Sequence, residues 1–201
     1  FGDFSIGNRL STVDLMHEEK PKVQIGVAYS KNMGASNKVG DGHADFILYD
    51  NSGDELFPDY SQLFLDLNLK YKGFSLVLEY ADAFASGLNQ IYTDPNAFNL
   101  LIPQQISEYL VVGDSQGIQF GYFTKNGISI DLIYENLNPE FDSYESSLLR
   151  KSTNMGVGVS KYLAGNNLKI QASLFKTGYE NLNNLDDDEF MSGSFLVQIA
   201  F

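Results

Sequence analysis

Leu63, Leu65, Leu67, Leu69 and Tyr71 alternate with Phe64, Asp66, Asn68 and Lys70, and after a short break the same period resumes. Phe74, Leu76, Leu78 and Tyr80 alternate with Ser75, Val77, Glu79 and Ala81. Period-two alternation puts one apolar row and one polar row on opposite faces of a β-strand. Lys72-Gly73 leaves room only for a tight turn, so the two runs predict an antiparallel hairpin. A second hairpin runs from Ile118, Phe120 and Tyr122 through Lys125-Asn126-Gly127 to Ile128, Ile130, Leu132 and Tyr134. Asn-Gly between alternating runs is a strong hairpin signal. A third joins Met155, Val157 and Val159 through Ala164-Gly165-Asn166-Asn167 to Leu168, Ile170, Ala172 and Leu174. Val23, Ile25, Val27 and Tyr29 predict a further strand upstream. Downstream, Phe195, Val197, Ile199 and Phe201 alternate with Leu196, Gln198 and Ala200 to form a last one.

Segments 31–59, 84–113 and 136–151 and an acidic stretch before the last strand read as long polar loops. Short turns on one side and long loops on the other, joining strands of about 10 residues, are the layout of a transmembrane β-barrel. A soluble sandwich also alternates, but tends to shorter strands without that asymmetry. Aromatic residues near strand ends (Tyr29, Tyr71, Phe74, Phe84, Tyr134, Tyr162, Phe175 and Phe201) suit the girdles at a membrane's two interfaces. Residues 44–49 suggest a short strand inside the first loop, and 99–110 a short helix or a segment lying across the barrel. The opening run from Phe4 to Leu10 alternates weakly, and would be a strand ended by His17-Glu18-Glu19-Lys20-Pro21. The expected fold is all-β: an antiparallel up-and-down transmembrane β-barrel, one domain over 1–201, with eight to nine strands. An even count suits a small closed barrel, and nine would make the chain part of a larger one of about 16 strands.

Composition narrows the function classes. A net charge of −13 argues against nucleic acid as a partner, because phosphate binding needs clustered Lys and Arg. Arg9 and Arg150 are the two arginines, and the chain has no cysteine, hence no disulfide framework or thiolate metal site. A mean hydropathy of −0.17 is compatible with a membrane barrel, whose strands turn only alternate residues to lipid. No run of about 18 apolar residues predicts a transmembrane helix. No secretory signal opens the sequence, so an exported protein would be processed or a fragment.

The stretches 69–80, 117–123 and 156–172 carry Leu-Lys-Tyr-Lys-Gly-Phe-Ser-Leu-Val-Leu-Glu-Tyr, Gly-Ile-Gln-Phe-Gly-Tyr-Phe and Gly-Val-Gly-Val-Ser through Asn-Asn-Leu-Lys-Ile-Gln-Ala. Over roughly residues 60–201 the chain resembles the C-terminal half of the porin O and P (phosphate-selective porin) family of outer-membrane proteins, in its Bacteroidetes-type form. The motifs build a barrel and carry no chemistry. The resemblance implies a trimeric pore of about 16 strands, for which this chain is too short. Phosphate selectivity in that family relies on basic ladders, and two arginines do not supply one.

Charged and polar residues in the polar register are the pore-lining candidates: Asp66, Asn68, Lys70, Glu79, Gln119, Asp131, Glu135, Lys169 and Gln171, with Ser173 beside them. Charge on a lipid face costs a few kcal/mol, so these belong on the other face. There they would tune ion selectivity in a water-filled pore, or form ion pairs that fill a narrow one. Phe195, Val197, Ile199 and Phe201 match the terminus read by the barrel-assembly machinery. Catalysis is not expected: His17 falls in a turn and His43 in a loop, neither opposite a plausible nucleophile. Asp186-Asp187-Asp188-Glu189 and the pair Asp50 and Asp54 lack the spacing of a calcium loop and read as solvated acidic loops. No cofactor or metal is expected. The reading is an outer-membrane porin-like protein passing small ions or solutes, in a homo-trimer or larger outer-membrane assembly. The alternative is a non-conducting structural or accessory barrel.

Overall fold

A computed structural model describes residues 4–9, 11–40, 45–141, 146–164, 167–180 and 188–199. Eight strands make one antiparallel sheet in sequence order: β1 Lys22–Asn32, β2 Asp59–Tyr71, β3 Phe74–Ser86, β4 Gly113–Phe123, β5 Ile128–Pro139, β6 Ser152–Tyr162, β7 Leu168–Tyr179 and β8 Asp188–Ile199. Each strand pairs with its neighbour in sequence, and among the described residues β1 and β8 each have a partner on one side only. The sheet is therefore an open up-and-down meander.

Each strand carries the alternation that the sequence shows, and the register lines up the apolar positions. Ile25 pairs with Leu67, Leu67 with Leu78, Leu78 with Ile118 and Ile118 with Tyr134; Tyr134 then faces Met155. Directly paired residues share a face, so one face is predominantly apolar across the sheet, interrupted by Lys161 in β6 and by Lys176, which faces Met155 from β7. That face is the exposed one. In β5, Ile130 and Leu132 are 48 % and 53 % exposed, while Ser129 and Asp131 between them are 0 % and 8 %. The usual arrangement of a soluble protein is inverted: hydroxyls and a carboxylate are enclosed and aliphatic side chains face out.

The turns explain the register. Lys72 and Gly73 both have positive φ, 50° and 88°, as the two-residue turn matched to the twist of a hairpin requires. At Thr124 to Gly127, only Gly127 has positive φ. Its N–H donates to the Thr124 carbonyl at 3.0 Å, so this connection is a four-residue turn rather than a two-residue Asn-Gly one. Within the third turn, residues 165–166 lie outside the described residues.

Several expectations change. The opening run is not a strand: Ile6–Asn8 is a short 3-10 turn, and no ninth strand joins the sheet among the described residues. In place of a strand at 44–49, Tyr49 makes isolated bridges to Glu55 and Tyr92. Asp188 and Glu189 open β8 instead of lying in a loop, and Asp186 and Asp187 fall outside the described residues. Tyr162 and Phe175 do not join an outer girdle. Phe175 pairs with Gly156, which would clash with its ring if it carried a Cβ, and Tyr162 pairs with Lys169 on the polar face. Tyr29, Tyr71, Phe74, Phe84 and Tyr134 do lie in the apolar register.

The largest apolar core sits in the long connections and not between sheet layers. Leu48, Ile91, Leu101, Ile106, Leu110 and Val112 are fully buried, together with Ala35 and with Tyr60 at the head of β2. The segment 99–110 contains the short 3-10 helix Pro103–Glu108. Paired main-chain bonds between Tyr49 and Tyr92 (2.9 and 2.8 Å) stitch the first long connection to the second. Leu148 N–H reaches the Ser107 carbonyl at 2.8 Å and draws in the third. Tyr60, Ala83 and Ala85 lie in the polar register, so this loop core packs down over the enclosed face.

Candidate functional site

Every pore-lining candidate occupies the same, enclosed face. One cross-strand row reads Gly26, Asp66, Glu79, Gly117, Glu135, Asn154 and Thr177 from β1 to β7. Next to it lies Gln24, Asn68, Val77, Gln119, Ile133, Gly156 and Phe175. The following row is Lys22, Lys70, Ser75, Gly121, Asp131, Gly158 and Ser173, and Gln171 and Lys169 continue towards the short turns. These rows differ sharply in access to solvent.

Asp66, Glu79 and Glu135 are exposed on this face and line a groove of about 520 Å³ with Phe64, Ser115 and Gly117. Gly26 makes room for the Asp66 carboxylate: a Cβ there would sit 1.9 Å from one of its oxygens. Glu135 accepts a hydrogen bond from Asn154 Nδ2 at 2.9 Å, and Asn154 in turn accepts one from Thr177 Oγ1 at 3.0 Å. Three carboxylates in one row give the groove a negative field, which favours cations over anions. Among the described residues no three His, Asp or Glu side chains converge as a metal cluster.

Asp131 and Lys70, in contrast, do not line open space. Asp131 accepts from Ser129 Oγ at 2.6 Å, and its other oxygen lies over the bare Gly121 backbone. Ser75, Ser160 and Ser173 are buried around it, and Ser173 Oγ meets Ser194 Oγ at 2.7 Å. Lys70 is completely buried. Its ammonium donates to the Asn8 carbonyl at 2.6 Å and to the Ser11 carbonyl, and lies 4.6 Å from the centre of the Phe4 ring. Lys169 stands 5.8 Å over the Tyr162 ring.

The partner of Lys70 is a part of the site that alternation does not reveal. The amino-terminal segment folds across the short-turn end of the enclosed face. Asp14 accepts the Gly73 N–H at 2.8 Å, and Lys72 N–H reaches the Glu18 carbonyl at 2.9 Å. His17 packs its ring 5.6 Å from Phe123, which stacks edge-on against Tyr162 at 5.4 Å. Residues with no periodicity carry this contact, and the only sequence hint is a cluster of Asn8, Asp14 and Glu18 before a proline. His43 lies outside the described residues. Of the terminal-strand candidates, Phe195, Val197 and Ile199 lie on the apolar face of β8, and Phe201 is outside the described residues.

No family model, curated protein or solved structure matches this chain.

Proposed function

We propose that this protein is a β-barrel of a Gram-negative outer membrane, or a large part of one, and gives passive passage to small ions or solutes. The observation that carries the reading is the inverted alternation: a largely apolar exposed face over eight strands, interrupted by Lys161 and Lys176, with serines, carboxylates, Lys70 and Lys169 on the enclosed face. Strands of 11 to 13 residues, at about 3.3 Å per residue and tilted, cross the roughly 30 Å of a bilayer's apolar core. The resemblance to the porin O and P family belongs to the same proposal, as do a trimer or larger assembly and recognition of β8 by the barrel-assembly machinery. The acidic row of Asp66, Glu79 and Glu135 supports weak cation preference, the opposite of an anion-selective lumen.

Planar-bilayer recording of the purified protein tests the channel. Stepwise conductance is expected, and silence over a wide voltage range would remove it. Membrane residence is tested separately: the protein should need detergent and migrate differently on a gel before and after heating. The second reading, a non-conducting accessory barrel, is favoured by one specific feature. Both ends of the enclosed face are covered, one by the loop core and the other by the amino-terminal segment. Silence in the bilayer with the gel shift intact would select it.

A further inference from the structure

The amino-terminal segment is braced within itself far more than it is tied to the sheet. Asn8 Nδ2 donates to Asp14 at 2.7 Å and to Glu18 at 3.0 Å, and Asn8 Oδ1 accepts from Met16 N–H at 3.1 Å. Glu18 also accepts from the Ser5 N–H at 2.7 Å and the Ser5 hydroxyl at 3.1 Å, while its own N–H donates to Asp14. Its hydrogen bonds to the sheet run through three positions at one hairpin end, Lys70, Lys72 and Gly73. Phe4, Val13 and the His17 ring supply its apolar contact. Beyond it, Lys20-Pro21 leads straight into β1, where proline offers no N–H to the sheet. A unit braced by its own hydrogen bonds, held at the short-turn end of the sheet and joined to β1 by a short connector has the construction of a latch.

We infer that the amino-terminal segment is a latched strap over the short-turn mouth of the enclosed face, held by Lys70 and released as one body when that contact breaks. This rests on the channel reading for its consequence, an opened passage, but not for the latch itself. Lys70 is the anchor because its buried ammonium donates to both the Asn8 and the Ser11 carbonyls. Charge-assisted hydrogen bonds of this kind are among the strongest a side chain makes. Removing it leaves two enclosed carbonyls without their donor.

The chain has no cysteine, so Ser11→Cys provides a single thiol at a buried position of the strap. The full protein in detergent is treated with a membrane-impermeant maleimide, with and without Lys70→Met, and each form is also recorded in planar bilayers. The thiol is expected to be protected when Lys70 is present, and to react about tenfold faster or more without it, the scale set by losing a buried charge-assisted bond. Conductance should rise in parallel. Should Lys70→Met fail to assemble, Asn8→Ala decides: it removes the internal brace and leaves all eight strands untouched. Equal thiol reactivity in all assembled forms would overturn the latch. Faster reactivity with unchanged conductance in a protein that conducts would overturn its gating role. Faster reactivity in a protein that never conducts supports the latch and retires the channel.

Discussion

At the residue scale, the enclosed face is shaped by what is missing from it. A Cβ at Gly121 would lie 2.5 Å from Asp131 Oδ1 and 2.6 Å from Ser75 Oγ, whereas one at Gly117 would meet nothing closer than 3.7 Å. Gly121→Ala is therefore expected to destabilise the protein by about 1–3 kcal/mol and Gly117→Ala by much less. The temperature at which the folded form disappears from a gel would rank the two variants, and equal values would refute the close packing around Asp131. The acidic row leads to a different expectation. Replacing Asp66, Glu79 and Glu135 with Asn, Gln and Gln removes the exposed negative charges of the groove. The cation-to-anion permeability ratio, read from reversal potentials in a salt gradient, should fall towards one. An unchanged ratio would mean that ions do not pass these residues.

At the element scale, the strands were legible in the sequence and the coverings over them were not. β2, β3, β4 and β5 declare themselves because Leu63 to Tyr71 and Ile128 to Tyr134 keep strict alternation, and a one-residue slip would reverse every side chain. The loop core has no period to read: Leu48, Ile91 and Ile106 come from separate connections, and their meeting depends on tertiary packing alone. Tyr162 and Phe175 depart from the girdle pattern for a related reason. An aromatic near a strand end suits an interface, but parity turns both inward, where Gly156 makes room for the Phe175 ring. Ile106→Ala should cost about 2–5 kcal/mol, because the site is fully buried and closely packed. Urea unfolding of the detergent-solubilised protein measures it.

The strap responds to acid in a definite direction. Burial pushes the Glu18 carboxyl upward, but hydrogen bonds from the Ser5 N–H, the Asn8 amide and the Ser5 hydroxyl, with the Lys22 charge, hold it below its ordinary value of 4.5. Asp14, His17 and Lys70 are the other titratable groups packed around it. A depressed carboxyl contributes stability that is full above its unfolded value and is lost as pH falls through the folded one. Protection of a Ser11→Cys thiol in the strap should thus be constant from pH 6 down to about 5 and decline below about 4.5. Protection that persisted to pH 3 would show that Glu18 does not brace the strap.

At the scale of the whole molecule, the apolar face and the enclosed face make opposite demands on substitution. Leu132 is half exposed in water, and its loss from a soluble protein's surface would matter little. If the face meets lipid, Leu132→Arg carries a cost of about 2–4 kcal/mol near the bilayer midplane. The balance between folded and unfolded protein in phospholipid vesicles, titrated with urea, distinguishes the two. A cost near zero would speak for an aqueous surroundings and against the membrane. The eight-strand count belongs to the same scale: the weak run at Phe4 to Leu10 admits eight or nine, and among the described residues a 3-10 turn at Ile6–Asn8 stands where the ninth would be.

The strap's attachment also dictates an order of assembly. Every strand pairs with its neighbour in the chain, so the sheet can grow hairpin by hairpin through short loop closures. Lys70 and Gly73, however, meet partners 59 to 62 residues away. Those partners have nothing to grip until β2 and β3 are joined through their two-residue turn. Residues that precede the sheet in the chain are thereby among the last to find their place, and the mouth stays uncovered while the sheet forms.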